Sequence, residues 1–163
     1  MSEKWDRRFL GLAEHIASFS KDPSTKVGAV ITTSFTNRIL SMGFNGFARG
    51  VKDTDERLND RTTKYEMVVH AEINAILFAK CDLEGTILYT WPLPPCARCA
   101  ALIINAGIKE VVSPPVTQER WIESCSLALD MFFEAGVEFR QIGVGSWYRH
   151  RPDSDDFETC FQP

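Results

Sequence analysis

Residues 70–99, HAEINAILFAKCDLEGTILYTWPLPPCARC, read as a helix, a strand and the start of a second helix. Ile73 and Leu77 follow His70 at spacings of 3 and 4, which predicts a helix from about His70 to Lys80 with the imidazole on its buried stripe. Ile87, Tyr89 and Trp91 alternate across a strand from Thr86 to Trp91, and the prolines between Pro92 and Pro95 end it. Cys96, Cys99, Ile103 and Ala106 then share one stripe of a further helix, with Gly107 suited to its C-terminal cap. Helix, strand and helix in succession make this an α/β chain.

Working outward, Trp5, Phe9, Leu12, Ile16 and Phe19 lie on one helical stripe. That helix should end near Ser20, because Asp22 precedes Pro23 and the residue before proline is pushed out of the helical region. Val27 to Thr33 and Arg38 to Phe44 read as two strands of an antiparallel hairpin turned by Ser34 to Asn37. Gly43-Phe44-Asn45-Gly46 breaks the second strand, and the polar residues up to about Lys64 read as a long loop. Towards the C-terminus, Lys109 to Ser113 is a strand. Thr117 is placed to cap a long helix carrying Trp121, Cys125, Ala128, Phe132 and Ala135, which Gly136 stops before a last strand from Val137 to Ile142. The order predicts one domain over residues 1–145, a five-stranded mixed sheet flanked by helices, and a loosely organised tail over 146–163.

A formal charge of −4 and a pI near 5.4 argue against a protein that tracks a polynucleotide, since such binding rests on neutralising phosphates with Lys and Arg. Five cysteines without framework spacing point to a reducing compartment. No signal-peptide pattern and no apolar run of about 18 residues is found, so the expected location is cytoplasmic, away from membranes.

The chemistry gathers at the two helix starts. Thiols at i and i+3 lie side by side, and the positive end of a helix favours their thiolates. Two thiolates and an imidazole suit zinc, and three protein ligands leave its fourth position open, as catalytic sites do. Taken singly, Cys96 and Cys99 could be core thiols, His70 a core histidine and Glu72 a surface charge. Together, with Pro95 before Cys96, they make the H-x-E and P-C-x-x-C pattern of zinc deaminases. One point does not follow from spacing: on a regular helix Glu72 would point away from His70.

With these residues the chain resembles the cytidine and deoxycytidylate deaminase superfamily, and more narrowly the deoxycytidylate deaminases. The narrower likeness rests on Lys21-Asp22-Pro23-Ser24, Val27-Gly28-Ala29, Gly43-Phe44-Asn45-Gly46, Thr63-Lys64-Tyr65 before His70, and Ile104 to Val111. The resemblance implies the three-layer deaminase fold, one catalytic Zn²⁺ on His70, Cys96 and Cys99, and hydrolysis of dCMP to dUMP and ammonia, a precursor supply for thymidylate in a cell or a virus. Glu72 would carry protons to N3 and the leaving amine. By the same likeness Asn45 would meet the deoxyribose hydroxyl, and Ala71 and Pro94 the base. Ser24 and Lys26 are the candidate phosphate donors. The likeness further implies a homo-hexamer activated by dCTP and inhibited by dTTP, with Gly43, Phe44, Asn45, Gly46 and Phe47 at the regulatory site and Mg²⁺ accompanying the effector. The alternatives are a deaminase of another nucleoside, base or RNA adenosine, or a non-catalytic zinc-binding subunit.

Overall fold

The computed structural model describes residues 2–143 in full and residues 147–150 as backbone. Its elements are α1 (Glu3–Ala17), β1 (Gly28–Thr32), β2 (Ile39–Phe44), β3 (Gly46–Phe47), α2 (Asp55–Asn59), α3 (Arg61–Met67), β4 (Val68–Val69), α4 (Ala71–Ala79), β5 (Ile87–Trp91), α5 (Ala97–Asn105), β6 (Glu110–Ser113), α6 (Glu119–Glu134), β7 (Glu138–Ile142) and β8 (Trp147–His150). The main sheet runs β2-β1-β5-β6-β7-β8. Pairings β1–β2 and β1–β5 are antiparallel, while β5–β6 and β6–β7 are parallel. The five expected strands thus form the expected mixed sheet.

Alternation along the strands sorts their side chains into two cores. Val30, Ile87, Tyr89, Val112 and Ile142 pack with Phe9, Leu10 and Ala13 of α1. Ala29, Ile31, Leu88, Val111 and Phe139 face the other way, against Ala71 and Ala75 of α4, Ala100 and Ile103 of α5, and Ala128 and Phe132 of α6. The sheet is therefore the middle of three layers. Two glycines let the helices reach it. A Cβ on Gly28 would lie 2.0 Å from the Ala13 carbonyl oxygen, and one on Gly43 would lie 2.4 Å from both the Ala71 oxygen and the Ala75 nitrogen. Gly43 is thus where β2 and α4 touch backbone to backbone.

Four expectations are corrected. The stretch up to Lys64 is not a plain loop: Thr54 and Asp60 cap α2 and α3 by accepting from Arg57 N–H and from Thr62 and Thr63 N–H, so local capping builds two short helices from a polar sequence. Thr117 does not cap α6, whose N-cap is Gln118, with no side-chain cap bond. The helical stripes are turned from their sequence reading: Trp5, Phe19 and Leu77 are exposed, while Asp6 and Glu72 are buried because each meets polar partners supplied by distant segments. Part of the tail is ordered too, since β8 pairs antiparallel with β7 and extends the sheet to six strands. Residues 151–163, including Cys160, lie outside the described residues.

Candidate zinc and active site

His70 is the N-cap of α4, with φ −69° and ψ 155°, and Cys96 is the N-cap of α5, with φ −78° and ψ 166°. Both candidate ligands sit in extended backbone just before the first turn, where unpaired helix N–H groups leave a positive end. The His70 Nδ1 lies 3.2 Å from the Cys99 sulfur and 3.5 Å from the Cys96 sulfur, and all three donor atoms fall within 4.8 Å of one another. Donors this close fit around one ion with Zn–S near about 2.3 Å and Zn–N near about 2.0–2.1 Å. Among the described residues this is the one cluster of its kind, and no comparable group is present for Mg²⁺. Cys96 is the acidic thiol of the pair: hydrogen bonds from Cys99 and His70 hold it down to about 4 against the effect of burial. Cys99, which donates to it and is itself buried, is pushed up, and the neighbouring Cys96 sulfur raises the His70 imidazole.

The placement of His70 removes the objection that Glu72 must point away from the donor cluster. Because His70 is extended rather than helical, the rule that residues two apart diverge does not govern this pair. Glu72, second residue of α4, is only 4% exposed. Its carboxyl meets the Cys99 thiol, and burial pushes its pKa up while His70 opposes the shift. A carboxyl raised by burial beside a cluster of candidate metal ligands is suited to picking up and returning protons.

Beside these groups opens a cleft whose empty space, open mouth included, is about 590 Å³. His70, Ala71, Glu72 and Cys96 line it together with Leu93 and Pro94, and Asp22, Ser24 and Thr25 line it as a further wall. Tyr65 of α3 and Trp121 of α6 stand at the cleft as an edge-to-face pair with centroids 6.4 Å apart. The Asp22–Thr25 wall is pinned from several directions. Lys64 Nζ, nearly buried, donates to Asp22 Oδ1 at 3.0 Å and to Ser24 Oγ at 2.9 Å. The same Asp22 oxygen accepts from the N–H groups of Ser24 and Thr25. Asn45 donates to the Thr25 carbonyl at 2.9 Å and accepts from Val27 N–H at 2.8 Å.

Ser24, Asn45, Ala71 and Pro94 therefore line the cleft with His70, Glu72 and Cys96. Lys26 does not: it is exposed and outside the lining, because the strand it enters turns the side chain away. Phe44, Gly46 and Phe47 line a separate cavity behind the wall, which Asn45, Asp22, Lys64 and Val68 share with the first, while Gly43 is spent on packing against α4. Sequence reasoning missed Lys64, Tyr65 and Trp121 as site residues. Thr63-Lys64-Tyr65 served only as a family marker, and Trp121 looked like one more member of a core stripe. The sequence carried no sign of it, since its Nε1, buried without a hydrogen-bond partner, is visible only in the structure.

Comparison with known proteins agrees with this geometry. The model of the cytidine and deoxycytidylate deaminase zinc-binding region matches residues 3–114. A deaminase of the luxG 3′ region of Aliivibrio fischeri is 50% identical over 141 residues, 85% of this chain and 93% of that protein. Human deoxycytidylate deaminase is 40% identical over 146 residues, covering 85% of this chain and 79% of its own length. Among solved structures, the dCMP deaminase of cyanophage S-TIM5 in its apo form superimposes with a TM-score of 0.68 at 26% identity, over 87% of this chain and 100% of that one. With His70 of its H-x-E pattern and both cysteines of P-C-x-x-C folded into one three-donor cluster beside a cleft, the chain belongs to the cytidine and deoxycytidylate deaminase family of zinc-dependent hydrolytic enzymes.

Proposed function

We propose that this protein deaminates dCMP to dUMP with release of ammonia, supplying a thymidylate precursor. The observation that carries the reading is the buried Glu72 carboxyl set against the His70, Cys96 and Cys99 donors beside the cleft. His70, Cys96 and Cys99 would hold the zinc, which when bound would acidify a water from about 15.7 toward roughly 7 and so supply the nucleophile for C4 of the cytosine ring. Glu72 accepts the first water proton and passes it to N3. It then takes the second and delivers it to the amino group as the C4–N bond breaks, so that water and dCMP become dUMP and ammonia. Ala71 and Pro94 flank the space for the base, Tyr65 and Trp121 narrow it at the cleft, and Asn45 keeps one N–H and one lone pair beyond its wall contacts for the deoxyribose hydroxyl. Zinc-loaded protein given dCMP should release ammonia and dUMP in equal amounts; cytidine, guanine or RNA adenosine as the better substrate would defeat the reading.

The same proposal includes regulation by dCTP and dTTP. Its support is the second cavity, of about 620 Å³ counting its mouth, where Phe44, Gly46 and Phe47 stand beside Lys21 and Asp53 and share the Asp22–Lys64 wall with the substrate cleft. A nucleotide there would act on the wall that shapes the cleft. Exposed Leu77 and Phe78 of α4 and Leu102 of α5 supply apolar area for a homo-oligomer, proposed as a hexamer in the cytoplasm. Adding dCTP should lower KM for dCMP and dTTP should raise it, while sedimentation should give a species six chains in mass. Unchanged kinetics with both nucleotides would remove the regulatory part.

A further inference from the structure

Beside the substrate cleft, and sharing Tyr65, His70, Cys96 and Trp121 with it, runs an outer cleft whose remaining lining is Arg61, Arg98, Arg120 and Ser124. The three arginines come from three elements: Arg61 opens α3, Arg98 stands between the two metal-ligating cysteines on α5, and Arg120 is in the first turn of α6. No carboxylate lines this cleft, and among the described residues none of the three arginines is in a salt bridge. In a chain of net charge −4 that is a local concentration of unneutralised positive charge at the mouth of the active site.

The guanidinium groups are also positioned. Arg61 stacks over the Tyr65 ring at 5.3 Å and Arg120 over the Trp121 ring at 5.3 Å. Arg120 donates through Nη2 to Thr25 Oγ1 at 2.7 Å, bridging α6 to the Asp22–Thr25 wall of the substrate cleft. The Trp121 Nε1–H, in the wall common to both clefts, has no acceptor. Three forked cations around one cleft suit an oxygen-rich anion, since guanidinium groups match phosphate geometry.

We propose that Arg61, Arg98 and Arg120 form the phosphate-recognition set that makes this enzyme select a 5′-phosphorylated nucleotide over its nucleoside. This rests on the dCMP reading and places the selecting charge away from the segment that the sequence pointed to. Lys26 lies outside the cleft, and the charge of Lys64 is already matched by Asp22. The nucleoside occupies the inner cleft, and its phosphate emerges among the arginines.

The test is kcat/KM for dCMP and for deoxycytidine, measured on zinc-loaded wild type, Arg98→Ala, Arg98→Lys, a triple Arg61→Ala/Arg98→Ala/Arg120→Ala variant, and Arg38→Ala as a distant surface control, with zinc content and circular dichroism confirming each fold. Wild type should favour dCMP strongly, and inorganic pyrophosphate should compete with dCMP. The dCMP-to-deoxycytidine ratio should fall about tenfold in Arg98→Ala through KM, fall further in the triple variant, and recover in part in Arg98→Lys. Arg38→Ala should match wild type. A triple variant that retains the wild-type ratio, or loses both activities in parallel, overturns the phosphate assignment and leaves dCMP deamination standing. Wild type that ignores dCMP defeats the parent reading instead. Faster deamination of a single-stranded oligonucleotide than of dCMP would assign the arginines to a polynucleotide and overturn the proposal as well.

Discussion

Glu72 and Cys125 show what burial does to single ionisable groups in this fold. Glu72 is raised by burial and placed to use the shift. Cys125 is raised too, up to about 12, chiefly by burial, and its thiol contacts the Pro94 carbonyl at the back of the cleft wall. A thiol with a folded pKa above its unfolded value favours the folded state fully below the unfolded value. That contribution is lost as pH rises from about 9 towards about 12, because only the unfolded chain releases the proton in that window. Cys125→Val should therefore flatten the alkaline limb of the stability profile of zinc-loaded protein. Urea midpoints at successive pH values check this, and parallel limbs for the two proteins would contradict it. That His70, Cys96 and Cys99 would come together was legible from spacing alone. The position of Glu72 was not, because it depends on His70 being extended, a backbone angle and not a periodicity.

At the scale of elements, the two helix starts are held where they are by packing that a glycine permits. Gly43→Ala would drive a methyl group into the backbone of α4 at Ala71 and Ala75, in reach of both His70 and Glu72. Overpacking of this kind costs about 1–3 kcal/mol, and here it should also weaken zinc binding, because α4 must shift. Denaturation with and without zinc, alongside zinc titration of the variant, checks both effects; unchanged zinc affinity would show that the helix start tolerates the shift. Most elements were legible, since apolar periodicity is a local property: five strands and four of the helices fall where spacing put them. The short α2 and α3 were not, because capping by Thr54 and Asp60 builds them without an apolar stripe. Their loss from the reading hid Lys64 and Tyr65, which α3 carries to the site.

Across the whole molecule, α1, β5, β6 and β7 are joined by a buried ionic network. Arg140 of β7 donates to Asp6 of α1 at 2.7 and 2.9 Å and also to Glu110 of β6, while Tyr89 of β5 donates to Asp6 at 2.8 Å. Asp6 and the Arg140 side chain are 0% and 2% exposed. Removing one member leaves a buried charge under-compensated, so Asp6→Ala should cost about 3–5 kcal/mol, whereas Asp6→Leu with Arg140→Met should cost clearly less than the sum of its parts. Chemical denaturation of the cycle checks this, and additive losses would contradict it. No such pairing could be read from sequence, since the partners are 134 residues apart. The arginine cleft was hidden for the same reason, assembled as it is from three elements.

The account turns on Glu72 as the proton carrier of a zinc deaminase, and one paired measurement tests it most directly: zinc content per chain and the rate of dUMP formation from dCMP, in wild type and in Glu72→Gln. The variant should hold zinc as wild type does, with His70, Cys96 and Cys99 intact, and should lose at least about 10² to 10⁴ in kcat. Near wild-type turnover in a zinc-loaded Glu72→Gln protein would contradict the account.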